Sequence, residues 1–220
     1  MIQPDEIIRS RRKTLAITVD SFGRLIVRAP LRCSEARIFA FLQEKEGWIM
    51  RKIAERKGAG IDLPPENLNG YTMTLLGKKC KIYVVPTLKV GYDSEKDIIY
   101  LPEKNPKEQL VKWLKDNAKR ILTTVTAQTA ERMGTVYKSV RITSARSRWG
   151  SCSGDNALHY SFRLIYAPKD VVEYVVVHEL AHTKHHNHSK AFWAEVAKYV
   201  PDWKVKRNWL KVHGGLMDVF

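Results

Sequence analysis

Two histidines four residues apart constrain this chain more than any other feature. They lie in His178-Glu179-Leu180-Ala181-His182. They can hold one ion together only if the segment is helical, because a rotation of about 100° per residue returns the fourth position to the same face. Glu179 then lies beside them, where a carboxylate can take a proton from water activated by a metal. This H-E-x-x-H pattern is the signature of zinc-dependent hydrolases, and its carboxylate separates it from a bare histidine pair. His188, six positions after His182, is the candidate third ligand. Three protein ligands leave one position open for water or substrate, which a catalytic zinc requires.

The flanks must supply the helix, because local propensity opposes it. Val171 to Val177 is rich in β-branched residues and reads by propensity as a buried strand. Against that stand Pro168, suited to a first helical turn, and the charges of Asp170 and Glu173 near the positive end. A helix is therefore expected over about 169–184, apolar on most sides and buried. A second, amphipathic helix is expected after Ser189 as N-cap, with Phe192, Trp193, Val196, Ala197 and Val200 as its apolar positions. Between them, Thr183 to His188 forms a turn able to swing His188 back.

Other residues compete for the third ligand position. On a straight helix His185 would lie about 10.5 Å beyond His178, too far to share an ion with bonds near ~2 Å. His186 has helical spacing to His182, but that pairing leaves His178 and Glu179 without a role. Glu195, on the next helix, is the main rival to His188, and its other reading is an exposed or ring-orienting carboxylate.

Upstream lies Ser147-Arg148-Trp149-Gly150-Ser151-Cys152-Ser153. Arg148 to Cys152, Arg163-Leu164, Pro168, Val175 to Leu180, His182, Asn187-His188-Ser189 and Phe192-Trp193 follow in order. Together they resemble the YgjP-like family of zincin metallopeptidases, relatives of the SprT-like group. The resemblance spans about 146–210, and the N-terminal half matches only in general organisation. The family usually has asparagine where this chain has Ser161 and tryptophan where it has Phe162, so no role is carried over for the asparagine. The resemblance implies a zinc-binding, gluzincin-like or metzincin-like hydrolytic core. His178, His182 and His188 would be its ligands and Glu179 its base.

Arg148, Trp149, Gly150 and Ser151 are candidate substrate-binding residues. The segment would form an edge strand beside the cleft, where an extended substrate can pair by its backbone. The alternative is a hairpin packing Trp149 against the metal-binding helix. Arg148 has two readings, an oxyanion partner or a solvated surface charge.

The rest of the chain reads as α+β, a zincin-like metallohydrolase core with a β-rich N-terminal lobe. The lobes are expected at 1–104 and 105–220. Thr14–Val19 and Arg24–Arg28 suggest a hairpin around Asp20-Ser21-Phe22-Gly23, followed by a helix from Ser34 to about Lys57. Short strands are expected at Tyr71–Leu76, Lys79–Pro86, Lys89–Tyr92, Ile98–Leu101, Val140–Thr143 and Ala157–Phe162. A long helix from Pro106 to about Met133 would back the metal-binding helix.

Hydrophobic content of 44% and six tryptophans argue against disorder. No apolar run approaches a bilayer span, so no membrane partner is expected. The start, Met1 to Glu6, lacks the basic-then-apolar order of a secretory signal. Cys33, Cys80 and Cys152 are unpatterned and odd in number, which fits a reducing cytoplasmic location. Cys152 is a possible nucleophile, but packing is the simpler role beside a metal motif.

The net charge of +15 raises contact with nucleic acid or nucleotides, through Arg9, Arg11, Arg12 and Lys13 or through Lys204, Lys206, Arg207 and Lys211 with Trp203 and Trp209. Three functions follow. The first is a zinc metallopeptidase acting on peptides or proteins. The second is a metal-dependent phosphohydrolase acting on nucleotides or nucleic acid. The third is a nucleic-acid-binding module with a structural metal, which Glu179 argues against because such a site needs no base. No phosphate-gripping P-loop accompanies the basic residues, and the peptidase reading leads.

Overall fold

The computed structural model describes residues 2–20, 22–61 and 63–220. Met1 of the N-terminal stretch and Ser21 of the hairpin turn lie outside them, as does Asp62. The chain forms two compact units: 1–62 with 211–215, and 63–210 with 216–220.

In the first unit, β1 (Glu6–Ser10), β2 (Ala16–Val19) and β3 (Leu25–Pro30) form a sheet of order β1-β3-β2. β2 and β3 are the expected hairpin, antiparallel with Ala16 opposite Arg28. Its turn is tied by Asp20, whose Oδ1 accepts from the Phe22 and Arg24 amides at 2.9 Å each. Gly23 supplies the positive φ of 81° that a tight turn demands. Period-2 alternation along β3 sends Leu25, Val27 and Ala29 inward. They meet Ile38, Leu42 and Ile49 from two helices, α1 (Glu35–Glu44) and α2 (Glu46–Lys57).

One expectation changes here, and one strand appears where none was expected. The single helix to Lys57 is broken at Lys45, whose φ of −100° and ψ of 9° interrupt the α conformation. β1 pairs in parallel with β3, a long-range partnership that leaves no hairpin signal in the sequence.

The second unit opens with β4 (Thr72–Leu75), β5 (Lys78–Val85), β6 (Gly91–Asp93) and β7 (Ile98–Pro102), in sheet order β4-β5-β7-β6. α3 (Pro106–Met133) follows, with proline in its first turn and Gly134 at φ 56° closing it. Its buried stripe of Leu110, Leu114, Ala118 and Leu122 repeats every fourth residue and turns one face to the core. A second sheet has order β8-β10-β9, from β8 (Ser139–Thr143), β9 (Gly150–Cys152) and β10 (Ala157–Ser161). A 3-10 turn (Phe162–Tyr166) leads into α4 (Lys169–Ala181), α5 (Lys190–Tyr199) and α6 (Trp203–Val212). The fold is α+β.

The lobe boundary expected at 104 therefore moves to about 62. The reason is packing: β7 lies against α3, and the Leu76 amide beyond β4 donates to the Ile165 carbonyl at 2.7 Å. The strands to Pro102 thus share a unit with the helices. α4 is buried nearly all round, through Val171, Val172, Tyr174 to Val177, Leu180 and Ala181. Burial on every side offsets the poor helix propensity of the valines. It ends at Ala181, three residues short of the expected end, and the Thr183 and Lys184 amides tighten onto the Leu180 and Ala181 carbonyls. The C-terminal end of this unit is pinned by Arg163, 2% exposed, whose Nε donates to the Val219 carbonyl at 3.0 Å and Nη1 to the Ser144 carbonyl at 3.1 Å. Among the described residues no helix is long and apolar enough to cross a membrane.

Candidate metal centre

α4 sets His178 and His182 one turn apart, their ring centroids separated by 5.0 Å. The turn after α4 is braced so that His188 returns to them. Thr183 Oγ1 bonds the Leu180 carbonyl at 2.7 Å and lies 2.6 Å from Thr135 Oγ1 beyond α3. Lys184 Nζ donates to the Met133 carbonyl at 2.8 Å and to Glu195 Oε1 at 3.0 Å. Asn187 Oδ1 accepts from the Ser189 amide, and Ser189 in turn caps α5 by accepting from the Phe192 amide. His188 Nε2 thereby comes within 3.2 Å of His178 Nε2, and one ring nitrogen from each of His178, His182 and His188 lies within 4.8 Å of the others.

The ring chemistry suits a cation. Burial, then the neighbouring imidazoles and Arg207, push the His178 pKa down to about 3. Burial also lowers that of His182. Both rings are therefore neutral at neutral pH, the form that ligates. His182 Nδ1 lies 3.0 Å from the His185 carbonyl, which can only accept, so Nδ1 carries the hydrogen and Nε2 keeps its lone pair free. The buried His178 Nδ1 has no hydrogen-bond partner among the described residues.

An aromatic wall holds the three rings. The Phe192 centroid is 4.9, 4.5 and 4.8 Å from those of His178, His182 and His188. Trp193 backs His178 and His188, stacks on Trp203 at 4.0 Å and carries the Arg207 guanidinium over its face. The periodicity of α5 marks Phe192 as buried but does not say what it touches.

Glu179 is 6% exposed and faces β9. Burial raises its carboxyl pKa to about 8, while the charge of Arg148 pulls the other way. It opens on a cleft of about 540 Å³ lined by the three histidines, Glu179, His186 and the 150–154 segment. β9 is an edge strand and also forms an antiparallel hairpin with β10, so features of both readings of the segment are present. Gly150 and Ser151 line the cleft, whereas Arg148 and Trp149 do not. Arg148 is exposed and reaches Glu179 only through its charge. The Trp149 carbonyl accepts from the Ser161 amide at 2.9 Å, extending the ladder with β10. Cys152, Ser153, Gly154 and His186 also line the cleft, a placement no spacing in the sequence marks. The Cys152 thiol is pushed up to about 11 by burial and by the charges of Glu179 and Asp155, so it stays protonated and is a poor nucleophile.

Glu195 is buried rather than exposed, and it bonds Lys184 and Lys198 (2.7 Å) instead of joining the histidines. Lys206 pairs with Asp170 and Asp202, so the C-terminal basic cluster is partly neutralised within the fold.

The family model of the YgjP-like metallopeptidase domain matches residues 13–213. The chain belongs to the YgjP-like metallopeptidase family. No curated protein matches it. It is similar to the solved metallopeptidase zymogen abylysin of Pyrococcus abyssi at 22% identity, over 40% of this chain and 89% of that one, with a TM-score of 0.37. It is also similar to the zymogen jannalysin of Methanocaldococcus jannaschii at 15% identity, over 40% and 93%, with a TM-score of 0.34. Family membership makes the protein a metal-dependent peptidase, a hydrolase of peptides or proteins that uses a divalent metal. It favours the peptidase reading over the phosphohydrolase one.

Proposed function

We propose that this peptidase uses zinc held by His178, His182 and His188, and cleaves amide bonds with Glu179 as general base. The observation that carries the reading is the convergence of three imidazole nitrogens beside a buried carboxylate in one open cleft. A neutral all-nitrogen donor set suits zinc. When bound, the ion polarises the scissile carbonyl and acidifies water.

The chain's own groups do the rest. His182 is kept in the ligating tautomer by the His185 carbonyl. Glu179 takes the proton of the attacking water on its carboxylate and returns it to the leaving nitrogen, so no covalent intermediate with the enzyme is needed. Beside a cation held by the three histidines, Glu179 would give up its proton more readily than its buried carboxyl does alone and so act in its basic form. The free edge of β9 presents backbone N–H and C=O groups along the cleft, where an extended peptide can pair. Arg148 adds positive charge near the base without lining the cleft.

Metal analysis tests the ligand set. The purified protein should carry about one zinc per chain, by the three-ligand arrangement of catalytic sites. His178→Ala, His182→Ala and His188→Ala should each release it. Full occupancy in His188→Ala together with loss in Glu195→Ala would transfer the third-ligand role to Glu195.

A further inference from the structure

Gly150 faces the Glu179 side chain with a bare α-carbon. A Cβ placed there would lie 2.7 Å from Glu179 Oε1, 2.8 Å from its Cγ and 3.0 Å from its Cδ, and these are its three nearest atoms. Non-bonded carbons settle at about 3.5–4 Å. No side chain therefore fits at 150 while Glu179 keeps its place.

The backbone does not ask for glycine here. Its φ lies outside the left-handed region, and Gly150 pairs with Tyr160 in an ordinary antiparallel register. Gly154, by contrast, has no atom within 4 Å of such a Cβ. The helix itself is held by its buried neighbours Val175, Val176 and Leu180, so room for a side chain at 150 has to come from the Glu179 side chain turning away.

We infer that Gly150 is a positioning residue for the general base: its missing side chain is the space that the Glu179 carboxylate occupies beside the edge strand. This rests on the reading of Glu179 as base. A methyl group at 150 pushes the carboxylate along the cleft, and a misplacement of about 1 Å can cost about a hundredfold in rate.

The test combines kinetics, zinc content and melting for Gly150→Ala, Glu179→Ala and the double variant. Gly150→Ala should keep its zinc and hold KM within about twofold, while kcat falls at least about tenfold. It should also lower Tm. Glu179→Ala removes all three atoms the methyl meets, so adding Gly150→Ala to it should leave Tm unchanged or raise it. If Gly150→Ala alone fails to fold, the double variant must still fold.

The inference is overturned by wild-type kcat in Gly150→Ala, by a raised KM with kcat kept, or by an equal Tm loss in both backgrounds. A double variant that does not fold overturns it too. Full turnover by Glu179→Ala would instead sink the reading of Glu179 as base, an outcome the melting comparison does not depend on.

Discussion

Glu179 and Glu195 stand on helices α4 and α5, and each is 6% exposed, yet their surroundings drive them in opposite directions. Among the described residues only the charge of Arg148 offsets the burial of Glu179, and its pKa rises to about 8. Glu195 is held by hydrogen bonds from Lys198 and Lys184, and its pKa falls. Burial alone thus says nothing about role. The carboxylate whose charge is answered becomes a brace for the turn that carries His188. The one left open to a cleft is, in the proposed function, the group that handles protons.

The largest expected effect separates the two by pH in the metal-free protein. Glu179 has a folded pKa above its unfolded value, so its contribution to stability is full below about 4.5 and is lost as pH rises toward 8. Glu179→Gln should abolish that loss and raise stability at pH 9 by several kcal/mol at most, on the order of the full linkage. Glu195 runs the other way: its contribution is present above about 4.5 and is lost as pH falls through its lowered value. Urea melts of Glu179→Gln and Glu195→Gln across pH 3–9 would read both slopes, and parallel slopes would erase the contrast.

Next in size is Lys184→Met, which removes one partner of Glu195 and the tie to the Met133 carbonyl. Lys184 is partly exposed, so the stability loss should be about 1–2 kcal/mol. Zinc affinity should fall by about tenfold or more, as it does when groups that support metal ligands are removed. A competition titration with a chelator measures it, and unchanged affinity would detach the brace from His188.

The smallest effect concerns the basic clusters. Lys206 is already paired to two aspartates. If the positive charge binds nucleic acid, neutralising Arg11, Arg12 and Lys13 should reduce the salt slope of that binding, by up to about one unit for each phosphate no longer neutralised. Neutralising Lys206 should change it less. Zinc content should not move in either case. Equal slopes would mean that internal pairing does not decide which charges are available.

The same distinction governs what the sequence can reveal. Spacing on one helix is local, so α4, its histidine pair and the candidate base are legible despite the valine run. α3 is legible to its termini because Pro106 and Gly134 mark both ends. His188 can be nominated from its distance along the chain, but the reason it arrives is a set of long-range ties from Thr135, Met133 and Glu195. No local pattern encodes those. β1 is hidden because its partner is parallel and distant, and the break at Lys45 because helix propensity continues across it. The lobe boundary cannot be placed from composition, which does not show that β4 to β7 pack with α3 and the 3-10 turn. Gly150 reads in the sequence as one letter of a motif, and its closeness to Glu179 exists only in three dimensions.

The central claim is that the open carboxylate does the chemistry and the paired one does not. Peptide hydrolysis and zinc content measured together on Glu179→Gln and Glu195→Gln test it most directly. Glu179→Gln should keep its zinc while kcat falls by at least about a hundredfold, as expected for loss of a general base. Glu195→Gln should keep kcat within several-fold once saturated with zinc. Undiminished turnover in Glu179→Gln, or a zinc-loaded Glu195→Gln that is equally inactive, would contradict the account.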